Sequence, residues 1–239
     1  MRVSKSLLLL LAAILLMMVS CAEAPAPVEE VEEVPAAAPA SIELFNGTDL
    51  TGWDSFLVEP EVKTEDVWSV QDGILICKGE PLGYLYTTEK YTSFNLVVEW
   101  RWAPGTEPGN SGVLMRINGE PMGIPRSIEA QLQSGNAGDV YGFHGMKLTG
   151  PEERMRGQEG HELLGDFVGV GKVEPNENTP GEWNRYEITL DGGDLTTLVN
   201  GKQVNHATQV DVVEGNIGLQ SEGGEIHFRK ITLTPIAGN

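Results

Sequence analysis

Cysteine is nearly missing from the 239 residues, with only Cys21 and Cys77 present. Two thiols allow one bridge at most, so no disulfide framework holds this chain together. Basic residues are scarce as well. Sixteen Lys and Arg stand against 35 Asp and Glu, a formal net charge of −19. No Lys/Arg-rich run occurs, which excludes the usual footprint of nucleic-acid binding, and the acidic field suits a neutral or cationic ligand. Helical periodicity of Ala, Leu, Glu and Lys is lacking, and no internal repeat is visible. The apolar run at residues 7–19 is 13 residues long, short of the ~20 that span a bilayer.

That short run is instead the core of an export signal. Arg2 and Lys5 precede it as a charged region, and Met18-Val19-Ser20-Cys21 follows as a lipobox-like cleavage and acylation site. Residues 1–20 are therefore expected to be a lipoprotein signal peptide, with Cys21 as the lipidated residue. Residues 21–40 hold mainly Ala, Pro, Glu and Val, with Glu29, Glu30, Glu32 and Glu33 clustered. Such a segment buries too little apolar surface to offset its ordering entropy, and is expected to be a disordered tether. Ala22 and Glu23, not Asp, follow Cys21. The expected location is the cell envelope, lipid-anchored at the outer membrane or facing the periplasm. With Cys21 acylated, Cys77 is left as a small buried hydrophobe.

From residue 41 to 239 the texture becomes that of one β-rich domain, with 29 Gly and 14 Pro in the whole chain marking frequent turns. Alternation predicts strands at residues 68–70, 74–78, 84–87, 94–102, 112–117, 127–133, 183–191, 196–199, 215–221 and 226–234. Asp72-Gly73, Asn118-Gly119, Asp191-Gly192 and Asn200-Gly201 fall where hairpins turn. The fold class is all-β, a sandwich or jelly roll of antiparallel sheets. Residues 150–179 are charged and irregular, and are expected to form one long loop or lid with a helical turn.

Strand parity locates a site. In residues 94–102, Leu96, Val98, Trp100 and Trp102 share one face, with Glu99 and Arg101 on the other. In residues 127–133, Ile128, Ala130 and Leu132 oppose Ser127, Glu129, Gln131 and Gln133. A row of acid and amide side chains offers both donors and acceptors to a hydroxyl-rich ligand, although a solvated sheet face has the same composition.

Three segments carry a family likeness. They are Leu44-Phe45-Asn46-Gly47-Thr48-Asp49-Leu50-Thr51-Gly52-Trp53, then Asn110-Ser111-Gly112-Val113-Leu114-Met115-Arg116 with Ile128-Glu129-Ala130-Gln131, and finally Gly215-Asn216-Ile217-Gly218-Leu219-Gln220 with Phe228-Arg229-Lys230-Ile231. Over residues 42–236 the chain resembles the 3-keto-disaccharide hydrolase family, which has the concanavalin A-like jelly-roll sandwich fold. The resemblance implies cleavage of 3-keto-glycosides. A ketone at C3 acidifies the C2 proton, a base removes it, the C1 oxygen leaves, and water then adds. This needs a base and a group that polarises the ketone, a role that a divalent cation such as calcium can fill. The sequence departs from the family pattern in two places. His144 comes several residues after Gln133-Ser134-Gly135-Asn136-Ala137-Gly138-Asp139, and an expected Asp-His-Gly reads Ser221-Glu222-Gly223.

Glu129, His144 and Arg116 are the catalytic candidates. Glu129 serves as base or metal ligand on a rigid strand, His144 as acid/base in a Gly-bounded loop, and Arg116 as a clamp for sugar oxygens or the ketone. Arg116 in a structural ion pair is the alternative. Glu99, Arg101, Asn110, Gln131, Gln133 and Gln220 are candidates for substrate binding, with Trp53 as a stacking platform. A retaining glucanase needs two carboxylates about 5–5.5 Å apart, but this strand reads Glu129-Ala130-Gln131-Leu132-Gln133. The competing function is a non-catalytic, lectin-like glycan-binding module that uses the same face without a base.

Overall fold

The computed structural model describes residues 39–236. The expected signal peptide, Cys21 and nearly all of the tether lie outside the described residues. In chain order the strands are β1 (Ile42–Glu43), β2 (Trp53–Leu57), β3 (Trp68–Gln71), β4 (Ile74–Cys77), β5 (Gly83–Thr87) and β6 (Phe94–Trp102). They continue with β7 (Gly112–Asn118), β8 (Arg126–Gln131), β9 (Val140–Gly142), β10 (Met155–His161) and β11 (Gly165–Val170). The last five are β12 (Asn184–Asp191), β13 (Asp194–Val199), β14 (Lys202–Ala207), β15 (Asn216–Ser221) and β16 (Ile226–Pro235).

Two eight-stranded sheets result. The back sheet runs β14-β13-β12-β6-β16-β4-β3, with β1 also paired to β16, and the front sheet runs β10-β11-β9-β8-β7-β15-β5-β2. Every strand pair is antiparallel. The two sheets enclose a single apolar core in which Leu96, Val98, Trp100 and Trp102 meet Val113, Ile128, Ala130 and Leu219. Burying one such side chain contributes roughly 1.5–3 kcal/mol, and the strict alternation on β6 and β8 explains why the sheets close on these faces. Cys77 lies in this core, and burial pushes its thiol up to about 12, so it is inert packing.

Turn chemistry fits the hairpins. Asp72-Gly73 and Asn200-Gly201 have positive φ at both positions, as two-residue turns matched to strand twist require. The opening Asn46 side chain folds its own loop, accepting hydrogen bonds from the Thr48 and Asp49 amides at 2.7 and 3.0 Å while Phe45 and Trp53 enter the core.

The expected loop at residues 150–179 is different in the structure. Glu152–Arg154 is a 3-10 turn, and β10 and β11 form a hairpin that extends the front sheet to its edge. Met155–His161 is partly or fully exposed along its length. It therefore has no buried face to impose alternation, and its strand character comes from pairing with β11.

Candidate functional site

The site is built on the outward face of the front sheet. Partners in the ladder connect Arg156, Gly169, Tyr141, Glu129, Leu114, Gly218, Tyr86 and Asp54 in a single row across all eight strands. Directly opposed residues project to the same side, so the polar face of β8 continues onto β9 and β10. It is not solvated: Ser127, Glu129 and Gln131 are 0%, 1% and 9% exposed. A cavity of about 410 Å³ lies over it, lined by Glu129, Gln131, Tyr141, Arg156, Gln220 and Glu222 among others. That volume is in the range of small-ligand sites.

Glu129 sits at the floor of the cavity. Gly112, paired with Gln131 on the neighbouring strand, makes room for it, because a Cβ there would lie 2.1 Å from Glu129 Oε1. Gln131 is locked by the backbone, its Oε1 accepting from the Leu132 and Gln133 amides at 2.9 and 2.8 Å. Its Nε2 is thereby turned toward Glu129 Oε2, at 3.5 Å. Burial, and after it the charges of Glu222 and Asp139, raise the Glu129 carboxyl well above the ordinary carboxylate range. Among the described residues no cation pairs with it. A carboxylate formed there is a stronger base than an exposed glutamate.

The last two segments of the family likeness meet here. Ser111 Oγ donates to the Gln220 carbonyl at 2.8 Å, and the Asn110 amide donates to the Gly223 carbonyl at 2.8 Å. Gly109 packs so closely on Gly223 that a Cβ would lie 1.9 Å from its carbonyl oxygen. This approach brings Asn110, Gln220 and Glu222 over the end of β8. Asn110 Oδ1 and Gln220 Oε1 are buried without a hydrogen-bond partner, an arrangement that costs free energy until a donor arrives. Burial also raises Glu222, with the Asn110 side chain working against it.

The opposite wall is cationic and aromatic. Arg156 donates to Asp139 and to the Tyr141 hydroxyl, and its Cζ lies 4.8 Å from the Tyr141 ring centre. Asp139 is itself held by the Lys172 amide at 2.7 Å and faces Lys172 Nζ at 3.5 Å. Burial pushes the Tyr141 phenol up to about 12 despite Arg156, so it remains a donor at neutral pH. Phe143 stacks on Tyr141 with centroids 5.8 Å apart, and Phe167 lies 6.4 Å away.

Of the sequence candidates, the fold gathers Glu129, Gln131, Asn110 and Gln220. Arg116 is not available to a ligand. It is fully buried and donates to the carbonyls of Thr92, Asp211 and Gly192 at 2.6–2.9 Å. His144 packs beside Gly165 and bonds the Ile124 carbonyl at 2.9 Å, outside the cavity lining. Glu99 and Arg101 lie on the back sheet, where Glu99 pairs with Arg185 and Arg229 and Arg101 covers Trp183. Gln133 has passed the end of β8 into an exposed turn. Trp53 is in the core, its Nε1 bonded to the Leu44 carbonyl at 2.7 Å. Parity within one strand cannot say which sheet the strand joins, and that accounts for Glu99 and Arg101.

Sequence reasoning missed Arg156, Tyr141 and Glu222 as site residues. Only Glu222 had a signal, as the residue standing where the family pattern has a histidine. A divalent cation finds little support in the donor set. Among the described residues no group of three or more His, Cys, Asp or Glu converges, and Arg156 already supplies a positive charge on this wall.

Comparison with solved structures gives the same architecture. A Parabacteroides distasonis protein provisionally described as a glycosyl hydrolase matches with TM-score 0.60 and 20% identity, over 82% of this chain and 94% of that one. A β-glucanase of Bacillus licheniformis matches at 0.53 and 13%, over 84% and 100%. A carbohydrate-binding module of Bacillus subtilis matches at 0.54 and 11%, over 77% and 95%. These likenesses show a shared fold, in which both enzymes and binding modules occur. No curated protein matches the chain in sequence. The model of the 3-keto-alpha-glucoside-1,2-lyase-like domain matches residues 40–234, and the chain belongs to that family.

Proposed function

We propose that this protein cleaves 3-keto-glycosides by elimination and hydration, with Glu129 as the base. The observation that carries this reading is a fully buried carboxyl with no cationic partner among the described residues, at the floor of a sugar-sized cavity, its proton affinity raised by burial. Glu129 takes the C2 proton. Tyr141 and Arg156 donate to the C3 oxygen, where negative charge develops. The C1–O bond then breaks and C1=C2 forms. Glu222, also raised by burial, gives its proton to the departing oxygen. Addition of water across C1=C2 returns a free 3-keto sugar. Asn110 Oδ1 and Gln220 Oε1 accept from the sugar hydroxyls.

The test is to follow a 3-keto-disaccharide and its parent disaccharide by NMR, with wild type and Glu129→Gln. Cleavage of the keto sugar alone, with loss of at least about 10³-fold in Glu129→Gln, supports the reading. Binding of sugar without turnover of either one sinks it, and assigns the face to glycan capture.

The reading extends to location. The signal-like residues 1–20 and Cys21 support an exported protein anchored in the envelope through a lipid. Labelled fatty acid should enter the wild type and not Cys21→Ser; equal labelling of both argues against the anchor.

A further inference from the structure

A second cavity, of about 700 Å³, adjoins the first, and the two share Glu222 as a lining residue. Leu163 and Leu164, in the turn between β10 and β11, divide between them, Leu164 lining the first and Leu163 the second. The walls of the second are Val58, Val62, Leu82 and Leu163, with Glu59 and Glu80 at its edge. Two of the six exposed large hydrophobic side chains among the described residues line this mouth, Val58 at 44% and Leu163 at 41% exposed. Exposed apolar side chains grouped around one opening mark a binding surface.

Its chemistry differs from that of the first cavity. No amide side chain, hydroxyl, Lys or Arg lines it, and every charged group in it is a carboxylate. A second sugar ring would find few donors to replace its lost water, and an anion would meet three acids. The geometry points to this cavity as the leaving-group site, shaped for a neutral apolar aglycone of aromatic type rather than for a second sugar. The inference rests on the proposed reaction: with the keto sugar over Glu129, the bond to be broken lies beside Glu222. When it breaks, the C1–O electron pair passes to the aglycone oxygen, which takes the Glu222 proton and departs as a free phenol or alcohol.

The test compares phenyl 3-keto-glucoside, carboxyphenyl 3-keto-glucoside and a 3-keto-disaccharide on wild type, Glu129→Gln and Leu163→Asp. Leu163 lies in an exposed turn, so this substitution leaves the core intact. Wild type should favour the phenyl substrate at least about 10-fold in kcat/KM over both others. Leu163→Asp should raise KM for the phenyl substrate about 10-fold and raise it clearly less for the disaccharide, whose polar leaving group gains little from the Leu163 side chain. Equal or better use of the disaccharide, or equal effects of Leu163→Asp on both, overturns the assignment. Binding of unoxidised phenyl glucoside, followed by NMR line broadening, separates the two ideas. Binding that is lost in Leu163→Asp without turnover of any keto substrate keeps the aglycone site and removes the reaction. No binding together with turnover of the disaccharide does the reverse.

Discussion

Glu129 combines a catalytic opportunity with a stability cost. Its folded-state pKa is raised, so the native protein holds a proton that the unfolded chain releases above about pH 4.3. Its favourable contribution is complete below the unfolded value and is lost as pH rises through the folded one. Glu129→Gln removes that loss. Thermal melts should show the variant gaining on wild type with rising pH, by about 2–4 °C more at pH 8 than at pH 5 for each kcal/mol involved. A constant gap between the two pH values would mean that the carboxyl does not titrate on folding. Gly112 is the matching test of position. The atoms that a methyl group there meets first, Oε1, Cδ and Cγ, all belong to the Glu129 side chain and not to backbone, so Gly112→Ala should displace the carboxyl and lower Tm only modestly. It should lower kcat about 10- to 100-fold, because a reacting group displaced by about 1 Å loses that much. Similar kcat in both proteins would show that the carboxyl need not lie over Gly112.

At the scale of elements, the β10–β11 hairpin turns a flat sheet edge into a walled cavity. It delivers Arg156 to Asp139 and Tyr141 and places Phe167 beside them. Gly169 is the only residue type that fits between, since a Cβ would lie 2.6 Å from the Tyr141 ring. Arg156→Lys keeps the charge, but one ammonium cannot bridge two acceptors and cover the ring at once. Steady-state kinetics should show kcat/KM reduced about 10- to 100-fold, with Tm nearly unchanged because the side chain is partly exposed. Full activity in the lysine variant would leave only the charge to matter. The hairpin was illegible in sequence because its outer strand, Met-Arg-Gly-Gln-Glu-Gly-His, is exposed and has no apolar alternation. Strand β6 was legible for the opposite reason, since each second residue is fully buried.

At the scale of the molecule, Arg116 joins the sheets. From β7 of the front sheet it reaches the carbonyls of Thr92, next to β6, of Gly192, in the β12–β13 turn of the back sheet, and of Asp211. Burial lowers its guanidinium to about 10, still far above neutral pH, so it remains charged. Arg116→Met leaves three carbonyls without that donor, at about 1–3 kcal/mol each where water cannot enter. Denaturant unfolding should show at least about 3 kcal/mol lost, while the folded fraction keeps its kcat. A variant of native stability but low kcat would return Arg116 to the site.

By itself the sequence determined the all-β class, the parity of β6 and β8, the hairpin turns at Asp72-Gly73 and Asn200-Gly201, the position of Glu129 beside Gln131, and the family. Each of these follows from contacts or backbone preferences within a few residues, or from motifs that stay together in the chain. Tertiary structure alone decided that the polar face of β8 is buried, and that Glu99 and Arg101 belong to the other sheet. It also decided that Arg116 ties backbone, and that Arg156, Tyr141 and Glu222 complete the cavity. Those outcomes depend on which strands become neighbours, and pairing between residues as far apart as Leu114 with Glu129, or Gln220 with Tyr84, is set by closure of the whole sandwich, not by local spacing.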